Sequence, residues 1–237
     1  MLKAVFFDLD GTLLPLDEDL FIKIYFKLLC DKLSPLGYES EKLVSVIWQG
    51  TKKMYANDGK ISNEEVFWNN FKDNYGVEKL NDKKIIDEFY LNEFKEVKKS
   101  CEENSLARKI VTFCKENNLQ VILTTNPVFP KVATLTRMSF VNLYENDFDY
   151  ITTYENSCYT KPNPKYFLEI LKKFNLKPEE VVLFGNNTLE DGDCSNACGI
   201  KCYMVGNYII NHDKSVGEYE HINMEDVIQT IKKLLKN

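Results

Sequence analysis

Val5-Phe6-Phe7-Asp8-Leu9-Asp10-Gly11-Thr12 is the stretch on which the reading of this chain turns. An apolar run ends in two carboxylates spaced two apart, and a glycine follows. Continuous rather than alternating apolarity suits a central strand of a parallel sheet, covered on both faces. Just beyond the C-terminal end of such a strand, both carboxylates can face the crevice where open α/β sheets bind ligands. Gly11 permits the sharp turn that follows. Two like charges this close are costly unless a cation lies between them or one stays protonated. The first outcome serves phosphate chemistry with a divalent cation, the second a general acid. The plainer alternative is an N-cap aspartate and a turn aspartate, common in loops after strands.

The same kind of strand recurs along the chain at Val121–Leu123, Val181–Phe184 and Cys202–Val205, and more weakly at Tyr150–Ile151. Helical patterns separate these runs. Leu106, Ile110 and Cys114 recur at helical spacing, as do Tyr166, Phe167, Ile170, Leu171 and Phe174, and Met224, Val227, Ile228, Ile231 and Leu234. Strand then helix, repeated, predicts an α/β fold with a Rossmann-like parallel sheet and right-handed crossovers. Residues 17–99 break the rhythm. No strand is legible there, and four helical stripes are: one through Phe21, Ile24, Tyr25, Leu28 and Leu29, one through Leu43, Val44, Ile47, Trp48 and Met54, one opened by the capping box Ser62–Glu65, and one through Ile86, Phe89, Tyr90, Phe94 and Val97. An all-α insertion (17–99) within a core made of 1–16 and 100–237 is expected, with hinges around 13–18 and 98–104. Helical spacing assigns Trp48, Trp68, Phe71 and Tyr75 to packing rather than to a ligand pocket.

The 237 residues carry 30 Lys+Arg against 36 Asp+Glu, a net charge of −6, which argues against phosphate-backbone binding and so against a nucleic-acid partner. No run is long enough for a membrane span or a signal peptide, which predicts a cytoplasmic protein with no membrane partner. Seven cysteines, an odd number with no small-scaffold pattern, fit that setting. Cys194, Cys198 and Cys202 read as small core residues around a helix ended by Gly199 rather than as a metal site. His212 and His221 read as surface residues.

The octet resembles motif I of the haloacid dehalogenase-like (HAD) hydrolase superfamily, in the Asp-x-Asp-Gly-Thr form of its phosphatases. The remaining motifs follow in order. Val121-Ile122-Leu123-Thr124-Thr125-Asn126 is similar to motif II, with Thr125 the matching hydroxyl. Thr160-Lys161-Pro162-Asn163-Pro164 is similar to motif III, with Asn163 as N-cap and Pro164 opening the helix. Val181–Phe184, Gly185, Asn186 and Asp191 are similar to motif IV. The helical insertion resembles the family's C1-type cap.

This resemblance implies a phosphatase of small phosphorylated metabolites, a monomer or homodimer. Asp8 would be the nucleophile, passing through a phospho-aspartyl intermediate, and Asp10 the general acid and base. Lys161 would offset charge, Thr125 would bond a phosphoryl oxygen, and the Leu9 amide and Asn126 would line the phosphate. Mg2+ would be held by Asp8, Asp10, Asn186 and Asp191. Asn186 departs from the family, which usually has Asp there; each charge pair at about 4 Å is worth on the order of 4 kcal/mol at an effective dielectric of 20. A phosphomutase on the same scaffold, and a non-catalytic phosphate-binding module with a degenerate metal site, are the alternatives.

Overall fold

Val5 pairs with both Val121 and Val182, and Phe7 with both Leu123 and Phe184, so the opening strand has partners on each side. The computed structural model describes residues 1–236. It contains one six-stranded sheet: β1 (Ala4–Phe7), β2 (Gln120–Leu123), β3 (Tyr150–Ile151), β4 (Val181–Gly185), β5 (Lys201–Val205) and β6 (Glu220–Ile222). All pairings are parallel and the spatial order is β3-β2-β1-β4-β5-β6. Alternate residues of β1 feed two cores. Val5 and Phe7 join the one shared with the helical layer; Ala4 and Phe6 join the one under Phe167 and Met204. Phe7, Phe184 and Tyr203 stack in a row across the first face, at 5.5 and 5.6 Å between ring centroids.

The order of the strands reverses at β1 and β4. The chain builds outward from β1 through β2 to β3, then crosses to β4 and builds the other way. A crevice opens at such a switch point, beyond the carboxyl ends of the strands. Asp8 follows β1 there, and Asn186 follows β4.

Between β1 and β2 the chain is helical. α1 (Glu18–Leu33) is capped by Asp17, whose side chain accepts from the Leu20 amide. α2 (Ser40–Tyr55) follows, then α3 (Asn63–Tyr75), opened by the Ser62–Glu65 capping box. The pattern through Ile86, Phe89, Tyr90, Phe94 and Val97 predicts a single helix; the structure divides it. α4 (Lys83–Leu91) ends at Asn92, whose backbone leaves the helical region (φ −118°, ψ −82°), and a 3-10 stretch takes Glu93–Ser100. The tighter winding puts Phe94, Val97 and Ser100 on one buried face at spacing three. The two joints with the sheet lie side by side: Asp17 N–H donates to Ser100 O at 2.9 Å, and Glu102 N–H to Pro15 O at 3.0 Å.

The remaining helices are α5 (Ser105–Glu116), α6 (Lys131–Ser139), α7 (Lys165–Phe174), the short α8 (Cys194–Asn196) and α9 (Val227–Leu234). α7 is entered as its motif suggests: Asn163 Oδ1 accepts from the Lys165 amide at 3.1 Å, and Pro164 already has helical dihedrals (φ −57°, ψ −24°). Cys194 and Cys198 are buried around α8, Cys202 lies in β5, and all seven cysteines are free thiols. The strand β6 has no signature in the sequence, since Glu220 and His221 are exposed. No helix among the described residues is long and apolar enough to cross a membrane.

Candidate active site

Asp8 extends β1 by one residue, its amide donating to Phe184 O at 2.9 Å, and only 6% of it is exposed. Lys161, on the loop before α7, brings its ammonium between two carboxylates. Nζ lies 2.8 Å from Asp8 Oδ1 and 2.6 Å from Asp191 Oδ1. Asp191 is fully buried, and its other oxygen accepts from the Asn186 and Asn187 amides, both at 3.0 Å. Gly185 makes this possible, because a Cβ there would sit 2.4 Å from the Asp191 carboxyl carbon. Burial raises the Asp8 carboxyl above the usual carboxylate range; Lys161 opposes that rise and Asp191 adds to it. Burial works against the Lys161 charge, but Asp191 and Asp8 more than offset it and hold the amine firmly protonated.

Asp10 lies at the mouth of the same crevice. Its Oδ1 is buried without a hydrogen-bond partner, and the nearest cation is Arg137 of α6, whose Nε is 3.4 Å away and equally unpartnered. Arg137 is 1% exposed, and its guanidinium lies over Phe129 at 4.6 Å and Phe21 at 5.7 Å, where cation–π attraction partly replaces lost hydration. Burial raises the Asp10 carboxyl, while Arg137 and then Lys161 pull it down. No motif announces Arg137. The available signal is helical periodicity: it shares the buried face of α6 with Ala133, Thr134 and Met138, where a charge needs a partner.

Thr125 borders the cavity at the end of β2, whereas the Thr124 hydroxyl is turned back onto Phe7 O at 3.2 Å. The Thr125 carbonyl is fixed by the hydroxyls of Thr152 at 2.7 Å and Tyr166 at 3.0 Å. Leu9 is buried, and its carbonyl accepts from the amides of Thr12 and Leu14 to form the turn. Asn126 lines the cavity, and its side chain is tied to several segments. Its amide nitrogen donates to Glu190 at 2.9 Å, to the Tyr55 hydroxyl at 3.0 Å and to Lys161 O at 3.3 Å, and its oxygen accepts from the Lys161 amide at 3.2 Å. The side chain thus acts as a clamp joining three loops to the end of α2. Tyr55 and Glu190, themselves 3.0 Å apart, complete the clamp.

Asn186 leans over Gly11. Gly11 has φ +82°, and a Cβ there would sit 2.1 Å from Asn186 Nδ2, so both its conformation and its bareness are required. Asn186 Nδ2 donates to Tyr208 O at 2.7 Å, and Oδ1 accepts only a long 3.4 Å bond from Thr12. That acceptor contact fixes which way the amide points.

Asp8, Asp10 and Asp191 face two cations, Lys161 and Arg137, so the cluster carries one negative charge in excess when all three are ionised and balances when Asp10 holds a proton. Asp8, Asp10 and Asn186 offer oxygen donors, the type a hard divalent cation takes. Asp191 is committed to Lys161 and two amides, and among the described residues no three His, Cys, Asp or Glu side chains converge as a ready metal cluster. The residues thus fit a hard cation with few charged ligands, and Asp191 also braces the loop after β4.

From this cluster a cavity of about 590 Å3 runs into the helical layer. Phe71, with Trp68 and Tyr75 packed around it, fills the packing role its spacing predicts, although Trp68 and Phe71 also border the cavity; Trp48, which borders it too, is 48% exposed. The helices bury their apolar stripes around this space rather than closing it.

A parallel sheet that gathers carboxylates, a buried lysine and a hydroxyl beyond its strand ends defines an α/β enzyme working at a switch point. The chain belongs to the haloacid dehalogenase-like hydrolases, whose family model matches residues 5–205. It is 23% identical over 240 residues to a phosphorylated carbohydrates phosphatase of Thermotoga maritima, covering 99% of this chain and all of the relative. Among solved structures it is similar to a HAD phosphatase of Thermococcus onnurineus, at 20% identity and TM-score 0.61, covering 97% of this chain and 98% of the other. It is also similar to a 2-haloacid dehalogenase of Pseudomonas syringae, at 18% identity and TM-score 0.64, covering 98% and 99%. At those identities the two structures establish the fold.

Proposed function

We propose that the protein is a magnesium-assisted phosphatase of small phosphate monoesters. The observation that carries this reading is the buried Asp8–Lys161–Asp191 bridge. Lys161 ties down one oxygen of Asp8 and leaves the second for the crevice. That oxygen attacks phosphorus while the ester P–O bond breaks, giving a phospho-aspartyl intermediate. Asp10, with its carboxyl raised by burial, gives its proton to the departing alkoxide and then takes one from the water that attacks the phosphorus of the intermediate. That attack releases phosphate and restores the Asp8 carboxylate. Lys161 and the Thr125 hydroxyl stabilise the phosphoryl oxygens. Mg2+, held by the Asp8 carboxylate, the Asp10 backbone carbonyl and Asn186, would neutralise the charge that a phosphate dianion adds to the site.

Residues 17–99 act in this reading as a cap over residues 1–16 and 100–237, hinged at the paired joints and choosing the leaving group. The seven free thiols support a reducing, cytoplasmic setting. A phosphomutase would have to hold a second phosphate, and the cavity offers no further cation for it: among the described residues Arg137 and Lys161 alone line it as cations.

The test is hydrolysis of p-nitrophenyl phosphate with magnesium titrated in. Turnover that rises with magnesium and drops at least about 10³-fold in Asp8→Asn is expected, since an amide cannot form the acyl phosphate. A wild type inert at every magnesium concentration, or a variant within tenfold of it, would reject the reading.

A further inference from the structure

The cavity has two chemically distinct ends. Near the sheet lie the carboxylates, Lys161 and Arg137. The far wall, within the helical layer, is Leu29, Leu33, Leu43, Ile47, Phe71 and Ile86. Its volume of about 590 Å3 is ample for a phosphate and a ring-sized group beyond it. Glu18, Asp19 and the Trp48 indole stand free at the open edge of the cavity, but the polar atoms deeper on the helical side are already engaged. The hydroxyls of Tyr25 and Tyr90 bond each other at 2.9 Å, and Trp68 Nε1 donates to the Tyr154 hydroxyl at 3.3 Å. The Thr51 hydroxyl donates to Ile47 O at 3.0 Å, and Tyr55 is held in the clamp with Glu190. A sugar placed here would strip water from several hydroxyls and find few free partners for them. An apolar group would instead cover wall that is costly to leave wet.

We propose that the leaving alcohol carries a neutral apolar body, an aryl or alkyl group, so that the substrate is an apolar phosphate monoester rather than a phosphosugar. This rests on the phosphatase reading for its chemistry and on the cavity wall for its selectivity.

Two matched comparisons test it. In turnover, 3-phenylpropyl phosphate is set against glucose 6-phosphate, both esters of primary alcohols, so that leaving-group chemistry is held nearly constant. In calorimetry with magnesium, 3-phenylpropylphosphonate is set against methylphosphonate, neither of which can be hydrolysed. Both comparisons are expected to favour the phenylpropyl ligand by roughly 10- to 100-fold, the scale of burying one ring. Ile47→Trp, which fills the cavity from α2, is expected to bring the phosphonate ratio towards one. Equal phosphonate affinities, a preference for glucose 6-phosphate, or a ratio untouched by Ile47→Trp overturns the inference. Failure to hydrolyse either ester overturns the phosphatase reading instead, while the phosphonate comparison still decides what the cavity binds.

Discussion

Lys161 sits between two buried carboxylates, and every other residue of the cluster is placed relative to that bridge. Asp8 and Asp10 were legible because they follow an apolar strand with a turn glycine beside them, and Lys161 and Asp191 because their surroundings resemble motifs that go with that strand. Arg137 and Tyr55 were not, because they come from helices whose local sequence has no reason to mention a site 100 residues away in the chain. Asn126 was legible as present but not as a clamp; its three partners arrive from separate segments. Two substitutions test the cluster. Asp10→Asn removes the proton donor, and is expected to slow esters of sugar or alkyl alcohols by about 10²–10⁴-fold while affecting p-nitrophenyl phosphate much less, because nitrophenolate leaves without a proton. Equal losses on both kinds of ester would remove Asp10 from that role. Asn186→Asp would set a carboxylate oxygen against Tyr208 O, where the amide now donates at 2.7 Å. It would also add a charge to an anionic cluster. Losing that bond costs about 1–3 kcal/mol, which at about 2–4 °C per kcal/mol for a chain of this size lowers the metal-free melting temperature by several degrees. Magnesium should then raise the variant's melting temperature more than the wild type's. Identical shifts in scanning calorimetry would show that position 186 does not face the cation.

At the scale of elements, α3 is the joint between the helical layer and the sheet. Its first amides are satisfied from across the crevice: Asn63 N–H donates to Ser157 O at 2.9 Å and Glu64 N–H to Tyr154 O at 2.8 Å. The Asn63 side chain, fully buried, accepts from Asn57 at 2.8 Å and donates to Pro127 O at 3.1 Å. The capping box at Ser62 and Glu65 was readable in the sequence, since it is a local reciprocal pattern. That the same helix end would dock on the loops after β2 and β3 was not, since docking depends on partners remote in the chain. Asn63→Ala leaves one N–H of Asn57, whose amide keeps its bond to Ile61 O, and the Pro127 carbonyl without a partner in a dry place, at a cost of about 1–3 kcal/mol. Amide exchange by mass spectrometry is expected to quicken in segment 57–75 and in the loop around 154–159, with β1 and β4 unchanged. Loss of protection spread evenly over the whole chain would mean that Asn63 supports the global fold and not this joint. The break at Asn92 was illegible for a related reason. Apolar spacing of three and four suits an α-helix, and only packing against α1 and α6 selects the 3-10 winding after it.

Taken whole, the molecule binds its ligand against its own field. It carries 36 acidic residues to 30 basic ones, and the imbalance is sharper where it matters. Asp17, Glu18 and Asp19 stand at the mouth of the cavity with Asp10 beside them, and Asp8, Glu190 and Asp191 lie inside it, facing only Arg137 and Lys161. The parallel class of the sheet was legible except for exposed β6, because buried parallel strands write themselves as apolar runs; the sign of the field at the mouth was not, because it depends on which loops meet. A phosphate dianion therefore approaches through repulsion that reaches about 30 Å at 0.01 M ionic strength and about 8 Å at 0.15 M. Screening should help the substrate in, unlike the usual case in which opposite charges steer it. At fixed magnesium concentration, raising sodium chloride from 0.01 to 0.15 M is expected to increase kcat/KM by a few-fold, with kcat nearly constant because the buried Asp8–Lys161 contact is little screened. Glu18→Gln combined with Asp19→Asn should raise kcat/KM at low salt and flatten its salt dependence. Stopped-flow or steady-state kinetics across that range decides it: a kcat/KM that falls as salt is added would mean that the magnesium ion, not the protein's acids, sets the sign of the potential the substrate meets.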